Sequence, residues 1–179
     1  MSSRKPWRKL LGIALACNPL WAAAHGAHEH GVIKLDIAID ATRITVQMES
    51  PLDNFIGFEH APRNAAERQS ADAAVLRLKT AETLFKIDPA AGCALAHVDL
   101  SSAALKLGKT EPGAAEDGHA DLDGDFEFGC KDATRAAFID VGLFDAFTRI
   151  QRIDVQVAAS KAQLKRTLKR PAARITLTR

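Results

Sequence analysis

The chain has 179 residues, and its 24 Lys and Arg face 22 Asp and Glu, which leaves a formal net charge of +2. This near balance, without a basic stripe interleaved with aromatic residues, argues against a nucleic-acid-binding protein. The length suits one domain with a core of its own.

Residues 1–24 have the layout of a secretory signal. Four basic residues precede a short apolar run at 10–16, and Ala22, Ala23 and Ala24 offer a cleavage site. The run is far shorter than the ~20 residues of a membrane span, so we expect no membrane anchor helix. Lipidation at Cys17 is an alternative, although Leu15 sits one place too late for a lipoprotein box. We predict export and a mature chain of residues 25–179, with 20 basic and 22 acidic residues.

Residues 32–50 alternate between apolar and polar side chains, which predicts a β-hairpin with one buried face. The apolar positions are Ile33, Leu35, Ile37, Ile39, Ile44, Val46 and Met48. Pro51 ends the pattern.

The next predicted element is a helix. Asn64 is a good N-cap, and Glu67, three residues later, completes a capping box. We expect the helix to run to about Lys79, with a second helical fragment at 81–85. Its core-facing residues would be Ala71, Val75 and Leu78.

The rest of the chain predicts short strands. Residues 93–100 form one, with Ala94, Ala96, Val98 and Leu100 on one face, and residues 119–130 form another. Between them, 101–118 has no period and predicts a mobile loop. A short turn or helix at 141–147 precedes strands at 153–157, 164–168 and 175–178. The predicted fold is α+β, a mostly antiparallel β-sheet or sandwich with one main α-helix, in a single domain.

Two cysteines remain in the mature chain, Cys93 and Cys130. An even pair in an exported protein most simply forms one disulfide. A pair of thiolate metal ligands is the alternative.

The mature N-terminus holds three histidines, His25, His28 and His30, with Glu29 among them. Imidazole is the commonest side-chain ligand for zinc and copper. His28 and His30 are two apart, so an extended chain at the start of the first strand would present both on one face. The α-amine of His25 could add a copper chelate. The alternative is a solvated polar tail.

Completing ligands would come from the body of the domain. His60 precedes the predicted helix, and His119 with Asp121 shares one face of a predicted strand. Each has an ordinary alternative, a hydrogen-bonded loop histidine or a solvated strand edge, and His97 is expected to be a plain strand histidine. No spacing typical of a hydrolase, a zinc protease or a phosphate-binding loop is present, which predicts a protein without catalysis.

Several segments resemble the ZrgA-like family of periplasmic zinc-uptake proteins across nearly the whole mature chain. They are His28–Gly31, Glu49–Asn54, Gly57–Pro62, His119–Asp121, Phe126–Cys130, Leu143–Phe144 and Gln151–Gln156. The resemblance implies a periplasmic zinc-binding protein that assists zinc uptake, beside an ABC-type importer. Family members often carry a His/Asp/Glu-rich run in the loop matched by 101–118, and this chain has no histidine there.

The combined prediction is a non-enzymatic zinc carrier or buffer. Its candidate metal ligands are His25, His28, His30, His60, His119, Glu29 and Asp121. Two rivals stay open: a disulfide-stabilised envelope interaction module with incidental histidines, and a copper-binding protein that uses the His25 N-terminus.

Overall fold

A computed structural model describes residues 29–108, 120–160 and 162–177. The strands in these ranges are β1 (Val32–Ile39), β2 (Arg43–Glu49), β3 (Phe85–Ile87), β4 (Cys93–Ser101), β5 (Asp123–Cys130), β6 (Phe138–Val141), β7 (Arg152–Ala159), β8 (Ala162–Lys169) and β9 (Arg174–Thr176). The helices are α1 (Asp53–Ile56), α2 (Ala65–Lys79), α3 (Ala81–Leu84) and α4 (Leu143–Ala146). The predicted signal segment, His25, His28 and His119 lie outside the described residues.

The strands form two sheets, which confirms the α+β prediction. The large sheet has the order β4-β5-β2-β1-β7-β8, and the small one has the order β3-β6-β9. Every pairing is antiparallel except that of the two strands β1 and β7, which run parallel at the centre of the large sheet. This parallel pair was not predicted, because alternation gives each strand's faces and not its neighbours.

The large sheet buries one face and exposes the other. The predicted hairpin is confirmed as β1 and β2, which pair from Lys34–Glu49 to Ile39–Ile44. All seven apolar positions of the hairpin are buried, whereas Asp36 and Gln47 are exposed. The small sheet packs over the buried face, and the rings of Phe85 and Phe126 meet there with centroids 5.1 Å apart.

The main helix is confirmed at both ends. The Asn64 side chain accepts a hydrogen bond from the Glu67 amide at 2.9 Å, and α2 ends at Lys79. Of the predicted core contacts on α2, Ala71 and Leu78 are buried and Val75 is half-buried.

The prediction for β4 was wrong about its faces. A β-bulge shifts the register between Leu95 and His97, so the alternation of 93–100 is interrupted at Ala96. Ala94 and Ala96 are therefore exposed, and Leu100 is buried. One extra residue in a strand moves all later side chains to the opposite face.

The disulfide is confirmed. Cys93 begins β4 directly opposite Cys130 at the end of β5, and their sulfurs are bonded. The strand predicted from 119 begins only at Asp123. The start of the predicted loop at 101–118 contains a bridge between Ser102 and Leu107, and 109–119 lies outside the described residues.

Strands β3 and β6 were not predicted. Phe85 was assigned to a helical fragment, but the helix α3 ends at Leu84 and Phe85 begins β3. A three-residue strand carries too little alternation to be read without its partners. In the described ranges, no helix has the length and apolar character that crossing a membrane requires.

The carboxyl groups of Asp88 and Asp140 hold segments of the small sheet and its flanking turns in place. Asp88 accepts hydrogen bonds from the amides of Ala90 and Ala137, and these bonds hold its pKa below the ordinary 3.8. Hydrogen bonds from the Arg174 guanidinium, at 2.6 and 2.7 Å, lower the pKa of Asp140. The pKa values of both carboxyl groups are lower in the folded chain than in the unfolded chain. Their ionised forms therefore stabilise the fold fully above the unfolded pKa, and this stabilisation is lost as the pH falls through the folded pKa.

We therefore expect Asp88→Asn to have a lower free energy of unfolding than wild type at pH 7, and this difference to shrink as pH falls below about 4. Urea unfolding at stepped pH from 7 to 2 measures the difference. Asp72→Asn, on the exposed side of α2, is the matched control and should open no such gap. A gap for Asp88→Asn that keeps its size at acid pH would contradict the assignment.

Candidate metal centre

His30 lies in a tight turn that leads into β1. The Val32 amide donates to the Glu29 carbonyl oxygen at 3.1 Å, and Gly31, the third residue of the turn, has a φ of +81°. This geometry fits a type II turn, which favours glycine at that position. The prediction that His30 begins an extended strand was wrong, because β1 starts at Val32. His30 sits instead at the tip of the turn.

The turn is held from below by Asn54, a buried residue of α1. Its Oδ1 accepts from the Gly31 amide at 2.6 Å, and its Nδ2 donates to the Val32 carbonyl at 2.8 Å. The same Nδ2 donates to the hydroxyl of buried Ser50 at 3.0 Å. Asn54 therefore uses both ends of its amide to fix the residue after His30.

The turn is held from the side by the start of β7. The Gly31 carbonyl oxygen accepts from the amides of Gln151 and Arg152, at 2.8 and 3.0 Å. The Arg152 guanidinium contacts both oxygens of the Glu29 carboxylate, at 2.7 and 3.5 Å, and this pairing raises the pKa of Arg152. Glu29, a predicted metal ligand, is thus engaged as an anchor of the turn.

The loop after α1 brings Glu59 to His30. The helix ends at Gly57 with a φ of +85°, where a Cβ would lie 2.6 Å from the Arg149 guanidinium. Beyond this bend, Glu59 Oε1 lies 2.9 Å from His30 Nε2. In a neutral imidazole, a carboxylate oxygen at this distance favours the proton on Nε2, which leaves the lone pair on Nδ1.

His60 is oriented by its own neighbours. Its ring stacks on Phe58 with centroids 4.7 Å apart, and its Nδ1 lies 3.0 Å from the Ala61 carbonyl oxygen. Glu67 Oε2 is 4.0 Å from the same nitrogen. Since a carbonyl oxygen can only accept, Nδ1 is the protonated nitrogen and Nε2 has the free lone pair. The loop after α1 thus contains His60 and also supplies Glu59, the residue that contacts His30.

The segment that contains Asp121 runs beside the same region. The Leu52 amide donates to the Ala120 carbonyl oxygen at 2.8 Å, and the backbones of Pro51 and Asp121 form a bridge. Ala120 and Asp121 therefore lie next to the start of α1, the helix that holds the turn of His30.

Of the predicted ligands, the structure gathers His30, His60, Glu29 and Asp121 around α1 and its flanking loops. Within the described ranges, no three His, Cys, Asp or Glu side chains are arranged to hold a metal ion. The remaining predicted ligands, His25, His28 and His119, fall outside those ranges. Sequence reasoning missed the supporting roles of Asn54, Glu59 and Arg152, although all three stand in the segments that carry the resemblance.

Residues 27–177 match the family described as ZrgA family zinc uptake protein. The chain belongs to the ZrgA family. The predicted resemblance is confirmed, and zinc uptake is the process that the family's description gives. No curated protein matches the chain.

In this ZrgA-family chain, the segments of the resemblance converge on one place. Glu49–Asn54 supplies Asn54, Gly57–Pro62 supplies Glu59 and His60, and Gln151–Gln156 supplies Arg152. Distant parts of the sequence thus fix the turn that carries His30, whereas His60 is oriented by its own neighbours.

Proposed function

We propose that the protein binds zinc in the periplasm at a site built on His30 and His60, and that it acts as a carrier or buffer in zinc acquisition, without catalysis. His25, His28, His119 and Asp121 are the proposed completing ligands. The single observation that carries the proposal is that each described candidate histidine has one ring nitrogen within 3.0 Å of an oxygen acceptor.

This arrangement is the one that prepares imidazole for a metal. A metal-ligating histidine usually donates its other N–H to a carboxylate or a backbone carbonyl, which fixes the tautomer and makes the free nitrogen more basic. His30 Nε2 lies 2.9 Å from a carboxylate oxygen, and His60 Nδ1 lies 3.0 Å from a backbone carbonyl oxygen. The nitrogens proposed to bind zinc are therefore His30 Nδ1 and His60 Nε2.

Two nitrogens leave zinc short of its usual four ligands. We propose His119 as a third ligand, because the next residue in sequence, Ala120, is hydrogen-bonded to Leu52 beside α1. His28 directly precedes Glu29, whose carboxylate Arg152 holds. Asp121 and His25 are further donors of the types that zinc accepts.

Exposure of the site favours a carrier. The His30 side chain is 64% exposed and that of His60 30% exposed, so an ion can enter and leave without opening the fold. The signal-like residues 1–24 and the Cys93–Cys130 disulfide support a periplasmic location, since disulfides persist in oxidising compartments. The proposed partner is an ABC-type zinc importer.

The test is a zinc titration of the exported, processed protein against a competing chelator. We expect one tight site, and His30→Ala/His60→Ala should weaken it by at least about 100-fold because two ligands are lost. The matched control is His97→Ala, which removes an exposed histidine of β4 and should change the affinity by less than about twofold.

An unchanged zinc affinity in the double variant would contradict the proposal. A parallel copper titration separates the rival site, because copper binds most nitrogen sites more tightly than zinc. Copper binding that survives His30→Ala/His60→Ala, and is lost when one residue is added before His25, would belong to the N-terminal amine instead.

A further inference from the structure

The outer strand β8 forms a basic edge of the large sheet. Residues 155–179 contain seven basic residues and no acidic residue. On β8, the side chains of Lys165, Arg166 and Lys169 are exposed. Among the described residues, no carboxylate lies within ion-pair distance of these three groups.

The backbone of β8 is open on one side. It pairs with β7 along all eight residues, from Arg152–Lys169 to Ala159–Ala162, and no described strand pairs with its other side. Such an edge offers unpaired N–H and C=O groups to another extended chain. A cavity of about 490 Å³ on the solvent face of the sheet runs beside β8, and Gln156, Gln163 and Lys165 help to line it.

We propose that the free edge of β8 docks an extended acidic segment of a partner protein, which adds to the sheet as a strand. The charge of this edge indicates which kind of strand can bind there. The three cations repel a second copy of β8 and attract carboxylates. In such a pairing, the main chain gives affinity and alternate side chains give specificity. Lys165 and Lys169 share one face, so an acidic residue at every second position meets both.

The docking edge connects to the proposed zinc site. On β8, the Thr167 hydroxyl donates to Asp154 at 2.8 Å, and Asp154 accepts from Arg152 at 3.1 Å. Arg152 in turn holds Glu29, the neighbour of His30, at 2.7 Å. A chain of side-chain contacts across β7 would therefore link an acidic partner on β8 to the turn that presents His30. A role in zinc delivery rests on the proposed function, whereas docking itself does not.

The test uses a labelled ten-residue peptide that alternates Glu and Thr, with fluorescence anisotropy in zinc-free, chelator-containing buffer. We expect saturable binding that weakens at high salt, and a loss of about tenfold in Lys165→Gln/Arg166→Gln/Lys169→Gln. The control Arg68→Gln/Lys79→Gln/Lys131→Gln removes three exposed charges elsewhere and should bind like wild type. Circular dichroism and melting temperature check that both variants fold.

Modified peptides and lipid vesicles distinguish strand addition from simple charge attraction. The same peptide with every amide N-methylated keeps its charge but has no N–H left to pair with β8, so its equal binding would overturn the proposal. Equal binding by a Lys–Thr peptide, or unchanged binding by the β8 variant, would do so as well. Vesicles of phosphatidylglycerol and phosphatidylethanolamine that bind the protein while the peptide does not would assign β8 to a membrane surface. Because zinc is absent throughout, failure here leaves the zinc titration intact.

Discussion

Reduction of the Cys93–Cys130 disulfide is expected to lower the free energy of unfolding by about 4 kcal/mol. The bond joins residues 37 apart in sequence, and in the chain-entropy model a loop of that length restricts the unfolded chain by this amount. The bond also closes β4 onto β5, at an edge of the large sheet where the bulge at Ala96 interrupts the pairing.

The measurement is urea unfolding of the oxidised and the reduced protein. Cys93→Ser/Cys130→Ser is the matched control: it should resemble the reduced wild type and should not respond to reductant. A loss of less than about 1 kcal/mol on reduction would mean that the restriction of the unfolded chain contributes little here.

Asn54→Ala is expected to cost roughly 3–5 kcal/mol of stability. The substitution leaves the buried Gly31 amide and the part-buried Val32 carbonyl without this partner, and each buried unsatisfied group costs about 1–3 kcal/mol. The Ser50 hydroxyl keeps its bond to the Pro51 carbonyl oxygen. Chemical denaturation measures the loss. We also expect weaker zinc binding, because the turn that carries His30 loses its support.

A second asparagine provides the control for this experiment. Asn64 caps α2 at an exposed position, so Asn64→Ala should cost only about 1 kcal/mol and should leave zinc affinity unchanged. If both substitutions cost the same, the Asn54 network does not anchor the turn as described.

Local sequence patterns predicted the elements that depend mainly on neighbouring residues. Alternation predicted the hairpin of β1 and β2, and the capping pair Asn64 and Glu67 placed α2 to the residue. The disulfide followed from an even cysteine count in a chain that was predicted to be exported. In each case a few neighbouring side chains, or a simple count, contain the whole signal.

Long-range contacts decided what could not be predicted. The parallel partner of β1, the bulge at Ala96 and the short strand β3 depend on residues far away in sequence. The candidate site shows the same limit. Its histidines are visible in the sequence, but the pairing of His30 with Glu59 requires the turn at Gly31, and that turn requires Asn54, 23 residues away.

The position of Glu29 changes how the N-terminal histidine cluster should function. Arg152 occupies its carboxylate, so Glu29 holds the turn that carries His30. The first and the last thirds of the chain thus meet at this turn, and the loop at 57–61 supplies partners of both His30 and His60. Such supporting contacts commonly tune a metal site as strongly as the ligands' own chemistry does.

The most direct measurement of the proposed zinc site is long-range ¹H–¹⁵N NMR of the histidine rings during zinc titration. At one equivalent of zinc, we predict that the resonances of His30 Nδ1 and His60 Nε2 shift together, while those of His97 stay unchanged. Zinc that shifts only the rings of His25 and His28, and leaves both His30 and His60 unchanged, would contradict a site built on His30 and His60.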